Sequence, residues 1–242
     1  MTELPAFGAR LARFIERRDL DSAALDSVSA RELQAVIDGS APSAQLLLRL
    51  APALGLHAQD LFVLAGAPVP QELAPLDPFA GSSAISIAFS AATLPAECID
   101  QLRQLIESLP QEARTKPPRP PRQYEPGPGG FLLGMLEKRN LARWYTAKSV
   151  YLGTRGQIYL SEATVQHALV RSKRLAPDMF AGLAVVLGIA AADLAALTGF
   201  DLPADASQAP PSPVLAELIW RLRRLSSNQA QHVAGVARAM RS

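Results

Sequence analysis

The apolar positions of this chain recur mostly at intervals of three and four, the period of helices that bury one face. Phe7, Leu11, Phe14 and Ile15 predict a first helix in GARLARFIERRDL, and Leu33, Val36 and Ile37 predict another in RELQAVIDG. Val165, Ala168 and Leu169 share one face of SEATVQHALV, which Ser161 caps ahead of Glu162 and Thr164. Two further stripes, Ile99, Leu102, Ile106, Leu109 and Leu215, Leu218, Leu222, Leu225, have the 3-4-3 spacing of helix-on-helix pairing. Each stripe either docks on its own domain or pairs with the other, within or between chains. In the tail, Val233, Val236, Ala237 and Met240 extend the same pattern. One stretch departs from it: in SAISIAFSA (83–91), Ile85, Ile87 and Phe89 alternate as in a short strand. The predicted fold class is all-α.

The pattern repeats. FIERRDL (14–20) corresponds to MLEKRNL (135–141) at an offset of 121, pairing Glu16 with Glu137, Arg18 with Arg139 and Leu20 with Leu141. LAPALGLHAQDLFVLAG (50–66) corresponds to LAVVLGIAAADLAALTG (183–199) at an offset of 133. There Leu50, Ala51, Leu54, Gly55, Asp60, Leu61, Leu64 and Gly66 recur as Leu183, Ala184, Leu187, Gly188, Asp193, Leu194, Leu197 and Gly199. Such self-similarity marks a duplicated unit, with twelve extra residues inside the second copy. IDQLRQLIESL (99–109) aligns with LAELIWRLRRL (215–225) as a third matched block. The resulting division is a first unit at 5–67 and a linker at 68–130, then a second unit at 131–201 and C-terminal amphipathic helices at 212–242. The linker holds an amphipathic helix at about 96–112 and a Pro/Gly-rich segment at 116–130. Arg114, Lys116, Arg119 and Arg122 stand out from that segment either as a solvated spacer or as an arm along phosphates. Glu112 and Glu125 dilute their charge and favour the spacer.

Composition narrows the function. Nearly half the residues are hydrophobic, at 49%, which suffices for a core. No uninterrupted apolar run has the length of a membrane span, and the N-terminus lacks the pattern of a secretory leader. Cys98 is the only cysteine, so no internal disulfide forms. His57, His167 and His232 are scattered away from metal-ligand spacings, and neither a metal nor a cofactor is expected. The net charge of +2 hides an asymmetry: residues 1–67 and 68–130 each carry −2, residues 131–200 carry +4 and 201–242 carry +2. A polyanion is therefore drawn to the second half.

Catalytic patterns are missing. Gly153-Thr154-Arg155-Gly156 is not a GxxxxGK[ST] phosphate loop, and no GxSxG elbow occurs. Glu16 and Glu137 recur beside Arg17/Arg18 and Lys138/Arg139 on what reads as a solvated helix face with local salt bridges. Trp220 reads as a structural anchor or a dimer contact. An enzyme is not expected.

The helix at 161–171 offers Thr164, Gln166, His167 and Arg171 opposite its apolar face, followed by Lys173 and Arg174. A hydrogen-bonding helix face beside a basic loop suits the major groove. With Pro42-Ser43 opening LLLRLAPALGL and Pro177-Asp178 preceding FAGLAVVLGI, each copy resembles the Cro/phage-repressor type of helix-turn-helix domain, the xenobiotic-response-element (XRE) family. The whole chain looks like the duplicated regulators of high-GC actinobacteria. The resemblance implies two tandem five-helix, lambda-repressor-like domains, the third helix of each lying in the major groove. It implies a cytoplasmic, nucleoid-associated transcriptional regulator of double-stranded DNA. The DNA-binding set it implies is Ser161, Glu162, Thr164, Gln166 and His167 toward bases, and Lys148, Arg155, Arg171, Lys173 and Arg174 toward phosphates. Copy one adds Arg31 and Gln34, but Glu32 and Asp38 beside them repel a duplex, so that copy reads as degenerate, structural or protein-binding. Trp144, Tyr145, Ala147, Val150, Tyr151 and Leu152 predict a second helix in copy two, with TRGQ as its exit turn. One reading helix per chain requires a homodimer, paired through Leu215, Leu218, Trp220, Leu222 and Leu225; two working copies make the monomer a pseudo-dimer. The alternative is a non-enzymatic scaffold that binds proteins, in particular through the first repeat.

Overall fold

The computed structural model describes residues 4–21, 25–26, 28–115, 117, 122–142, 144–171, 175–204 and 213–241. These residues are all-helical, with no strand among them. The first half contains α1 (Phe7–Arg17), α2 (Ala30–Ile37), α3 (Ala44–Ala53) and α4 (Ala58–Leu64), then α5 (Gly81–Ala91) and α6 (Ala96–Ser108). The second contains α7 (Pro128–Glu137), α8 (Thr146–Gly153), α9 (Glu162–Val170), α10 (Pro177–Leu187) and α11 (Ala191–Thr198), then α12 (Pro213–Leu222) and α13 (Ser227–Ala239). Serine hydroxyls accept from the third residue of α2, α3, α9 and α13, at Ser29, Ser43, Ser161 and Ser226. No single helix among the described residues is long and apolar enough to cross a membrane.

The predicted strand at 83–91 is helix α5. Its buried positions, Ala84, Ile85, Ile87, Ala88 and Ala91, follow helical spacing, but three are alanines, so the large residues alone show a misleading alternation. The linker is therefore largely folded: α5 and α6 each pack on both α12 and α13. Equivalence between the two helix pairs runs at an offset of 131, carrying the buried Ala84, Ile87, Ala88 and Ala91 onto Leu215, Leu218, Ile219 and Leu222. Likewise Leu102 and Ile106 of α6 fall on Val233 and Ala237 of α13. The alignment of 99–109 with 215–225 is thus out of register, since it matched two stripes that face each other from non-equivalent helices. Arg114 does not project from the linker; its guanidinium donates to the carbonyls of Ala74, Pro75 and Leu76. Arg122 is exposed, while Lys116 and Arg119 lie outside the described residues.

The halves meet around a pseudo-twofold axis. α1 packs on α11, and its equivalent α7 packs on α4. Such reciprocity is what an isologous dimer interface shows between separate chains. Arg18 pairs with Asp193 at 2.9 Å, and the equivalent Arg139 pairs with Asp60 at 2.6 Å. Arg17 also reaches Asp193, at 3.0 Å. The solvated face expected beside Glu16 and Glu137 is corrected here: these arginines bridge the halves, and Arg139 is 1% exposed.

Arg10 stands on the axis itself, 4% exposed. It donates to the carbonyls of Leu64 and Leu197, which are equivalent residues at the ends of α4 and α11. One guanidinium thus satisfies the open carbonyls of two symmetry-related helix ends. Its own equivalent, at an offset of 121, is Phe131, and the guanidinium lies 4.4 Å from that ring. Burial lowers the Arg10 pKa to about 10, still well above neutrality.

Candidate nucleic-acid interface

Two helices of the second half, α7 and α8, hold α9 in place, and α8 is itself packed on α10. Gly129 of α7 lies so close to α9 that a Cβ there would sit 1.7 Å from the carbonyl oxygen of Leu169. Gly153, at the end of α8, lies equally close to α10, where a Cβ would be 1.8 Å from the carbonyl oxygen of Gly182. Val165, Ala168 and Leu169 turn inward, as their spacing predicts.

The turn from α8 to α9 spans 154–161, longer than a tight helix-turn-helix connection. Thr154 organises it, its hydroxyl donating to the carbonyl of Val150 at 2.8 Å and accepting from the amide of Ile158 at 3.2 Å. Arg155 and Gly156 follow in left-handed conformations, with φ of 51° and 83°. The Tyr151 ring stacks on Phe89 of α5 and meets Tyr159 edge-on, tying the turn to α5.

A polar clamp joins the two helices. The Glu162 carboxylate accepts from the amide of Ala147, at the first turn of α8, at 2.9 Å. The Gln166 amide donates to the Thr146 hydroxyl at 2.8 Å and to Glu162 at 3.1 Å. Glu162 and Gln166 are therefore half-buried positioning groups, and Glu162 already holds the anion position at the start of α8. Ser161 accepts from the amide of Thr164 and shares a 2.8 Å hydrogen bond with its hydroxyl. Thr164, His167 and Arg171 are exposed on one face at positions i, i+3 and i+7. Lys148, Tyr151 and Arg155 are exposed at the same spacing along α8 and its exit. Tyr159 at 86% and Val170 at 58% exposure complete this surface and were not anticipated from the pattern. Lys173 and Arg174 lie outside the described residues.

The first half differs. Among the described residues no helix intervenes between α1 and α2. The residue equivalent to Gly182, where α8 crosses α10, is Arg49. Arg49 instead pairs with Glu32 of α2 at 2.8 Å. Arg31 and Gln34 are exposed on α2, and the Gln34 amide donates to Asp38 at 2.9 Å. Arg49 thereby offsets the charge of Glu32, whereas Asp38 is hydrogen-bonded by an uncharged amide and keeps its negative charge.

The expected dimer surface lies inside the chain. Leu215, Leu218, Leu222 and Leu225 are each at most 8% exposed, packed in the bundle of α5, α6, α12 and α13. Trp220 stacks on His57, ring centroids 3.4 Å apart, with Arg223 and Arg139 beside it. It anchors one half to the other, so the chain itself covers the stripe that suggested pairing with a second chain. Comparison of the chain with protein-family models, with curated proteins and with solved structures finds no match in any of the three.

Proposed function

We propose that this chain is a double-stranded DNA-binding transcriptional regulator built from two tandem helix-turn-helix units of the XRE type. The observation that carries the reading is the exposure of Thr164, His167 and Arg171 along one side of α9, together with the exposed Lys148 of α8, the helix packed against it, and Arg155 at the exit of α8. In this reading Thr164 and His167 offer hydrogen-bonding groups to base edges, and the cations Lys148, Arg155 and Arg171 serve as phosphate contacts. Glu162 and Gln166 serve the reading by fixing α9 against α8. The net charge of +4 over residues 131–200 supplies the steering field.

Fluorescence anisotropy with random-sequence duplex tests it, titrated at several salt concentrations. Micromolar binding whose log K falls linearly with log salt is expected, and each phosphate contact removed from Lys148, Arg155 or Arg171 by alanine lowers the slope by about one. An unchanged slope in the triple variant refutes the residue assignment, and no binding at low salt refutes the function.

A second reading rests on a different observation, the exposed Trp144 and Phe79, which are 74% and 57% accessible and line one shallow pocket. Large apolar groups left in water are typical of protein-docking surfaces. In that reading the chain is a scaffold, and light scattering with affinity capture of a defined protein partner replaces the DNA titration as its test.

A further inference from the structure

We infer that one chain acts as its own dimer on DNA, with α2 and α9 as two dyad-related reading helices that contact two unequal half-sites. The inference rests on the DNA-binding reading above and adds its stoichiometry, its second contact surface and the asymmetry of its target.

Four features define the dyad. The pairs Arg18–Asp193 and Arg139–Asp60 are reciprocal, as are the packings of α1 on α11 and α7 on α4. The helix pairs α5/α6 and α12/α13 meet with equivalent residues buried. Gly8 of α1 approaches the backbone of α2 as its equivalent Gly129 approaches α9, with a Cβ only 2.0 Å from the Val36 carbonyl oxygen. Helices α2 and α9 are therefore held by the same device about one axis, at places that agree to within one residue when counted from the capping serines. Two reading helices related by a twofold are what a duplex with its own local dyad accepts.

The axis residues make the pairing unlike a homodimer. Two first halves would set Arg10 against Arg10, like charges in a dry site. Two second halves would set Phe131 against Phe131 and leave the carbonyls of both helix ends without a donor. Only one half of each kind satisfies the axis, and a single chain carries one of each.

The two reading faces differ in chemistry. Counted from the capping serines, Gln34 and Gln166 are equivalent, but Arg31 stands where Ala163 does, Glu32 where Thr164 does and Ala35 where His167 does. Arg31 fits a guanine through O6 and N7, whereas Thr164 and His167 carry no such fork. On α2 the charge of Arg31 is opposed by Glu32 and Asp38, and of these carboxylates Glu32 is paired with Arg49 of α3, so α2 brings less positive charge to DNA than α9 and forms the weaker half-site.

The test uses the full chain on a duplex selected from a random library. Light scattering of the complex is expected to give one chain per duplex, and footprinting two protected half-sites of different sequence. Arg31→Ala weakens affinity about 5- to 100-fold and relaxes base preference in one half-site only, whereas His167→Ala does so in the other. Thermal melts confirm that both exposed-site variants fold. Two chains per duplex, or a single protected half-site indifferent to Arg31→Ala, overturns the inference while leaving DNA binding intact. Absence of binding to any duplex at low salt overturns both.

Discussion

The two pseudo-equivalent ion pairs place the same chemistry in different surroundings within one molecule, and the consequence is measurable. Arg139 and Asp60 are 1% and 0% exposed and meet through two parallel hydrogen bonds of 2.6 and 2.7 Å. Asp60→Asn keeps the shape and removes the charge, leaving a guanidinium buried without its counterion. Breaking a buried pair this way costs about 3–5 kcal/mol. Asp193 is 9% exposed, but its partners Arg17 and Arg18 are 49% and 44% exposed, and water screens them. Asp193→Asn is therefore expected to cost only about 1 kcal/mol, in the range of surface pairs. For a chain of this length the difference corresponds to Tm losses of roughly 6–20 °C against roughly 2–4 °C. Urea unfolding followed by circular dichroism provides the assay, with unchanged m-values in both variants. The double replacement Asp60→Leu/Arg139→Met should recover part of the loss, because an apolar pair carries no desolvation cost. Recovery stays incomplete because Arg139 also donates to the carbonyls of Met135 and Leu187. Equal losses from Asp60→Asn and Asp193→Asn would refute the reasoning.

Two glycines and a histidine extend the test to other parts of the fold. Gly129→Ala drives a methyl into the Leu169 carbonyl and should destabilise by about 1–3 kcal/mol, whereas Gly235→Ala in α13 meets no atom within 4 Å and should stabilise by about 0.5–1 kcal/mol. Thermal melts of the pair decide this, and loss of stability in both variants would contradict the packing. His57 is pushed down to about 4 by burial and by the nearby Arg139 and Arg223, so the folded chain keeps it neutral while the unfolded chain protonates it below about 6.5. The unfolded state then binds more protons, and this part of the stability is lost as pH falls from about 6.5 to 4. His57→Phe preserves a ring against Trp220 and removes the titration, so the stability difference between wild type and variant should change across that window; a constant difference counts against the assignment.

How much of the candidate site was legible depended on what each residue needs to be recognised. Ser161 as a cap and Val165, Ala168 and Leu169 as an inward face were readable, because capping and periodicity are local properties of a few consecutive residues. The exposure of Thr164, His167 and Arg171 followed from the same spacing. The intramolecular partners of Glu162 and Gln166, the Ala147 amide and the Thr146 hydroxyl, were not legible because they lie 15 and 20 residues away across a turn. Arg10 did leave a signal, an arginine on the apolar face shared by Phe7 and Phe14, but what it binds is 54 and 187 residues distant.

The sequence by itself determined the helical class, the duplication, the main helices other than α5 and the basic bias of the second half. Each of these is set by local period, by capping or by identity between copies. Only the tertiary structure decided that Arg18 and Arg139 cross to Asp193 and Asp60, that α5 is a helix, and that the leucine stripe of α12 closes on its own chain. The physical reason is the same in each case. A helical face specifies that something must cover it or neutralise it, and the identity of the partner depends on which surfaces the whole chain brings together.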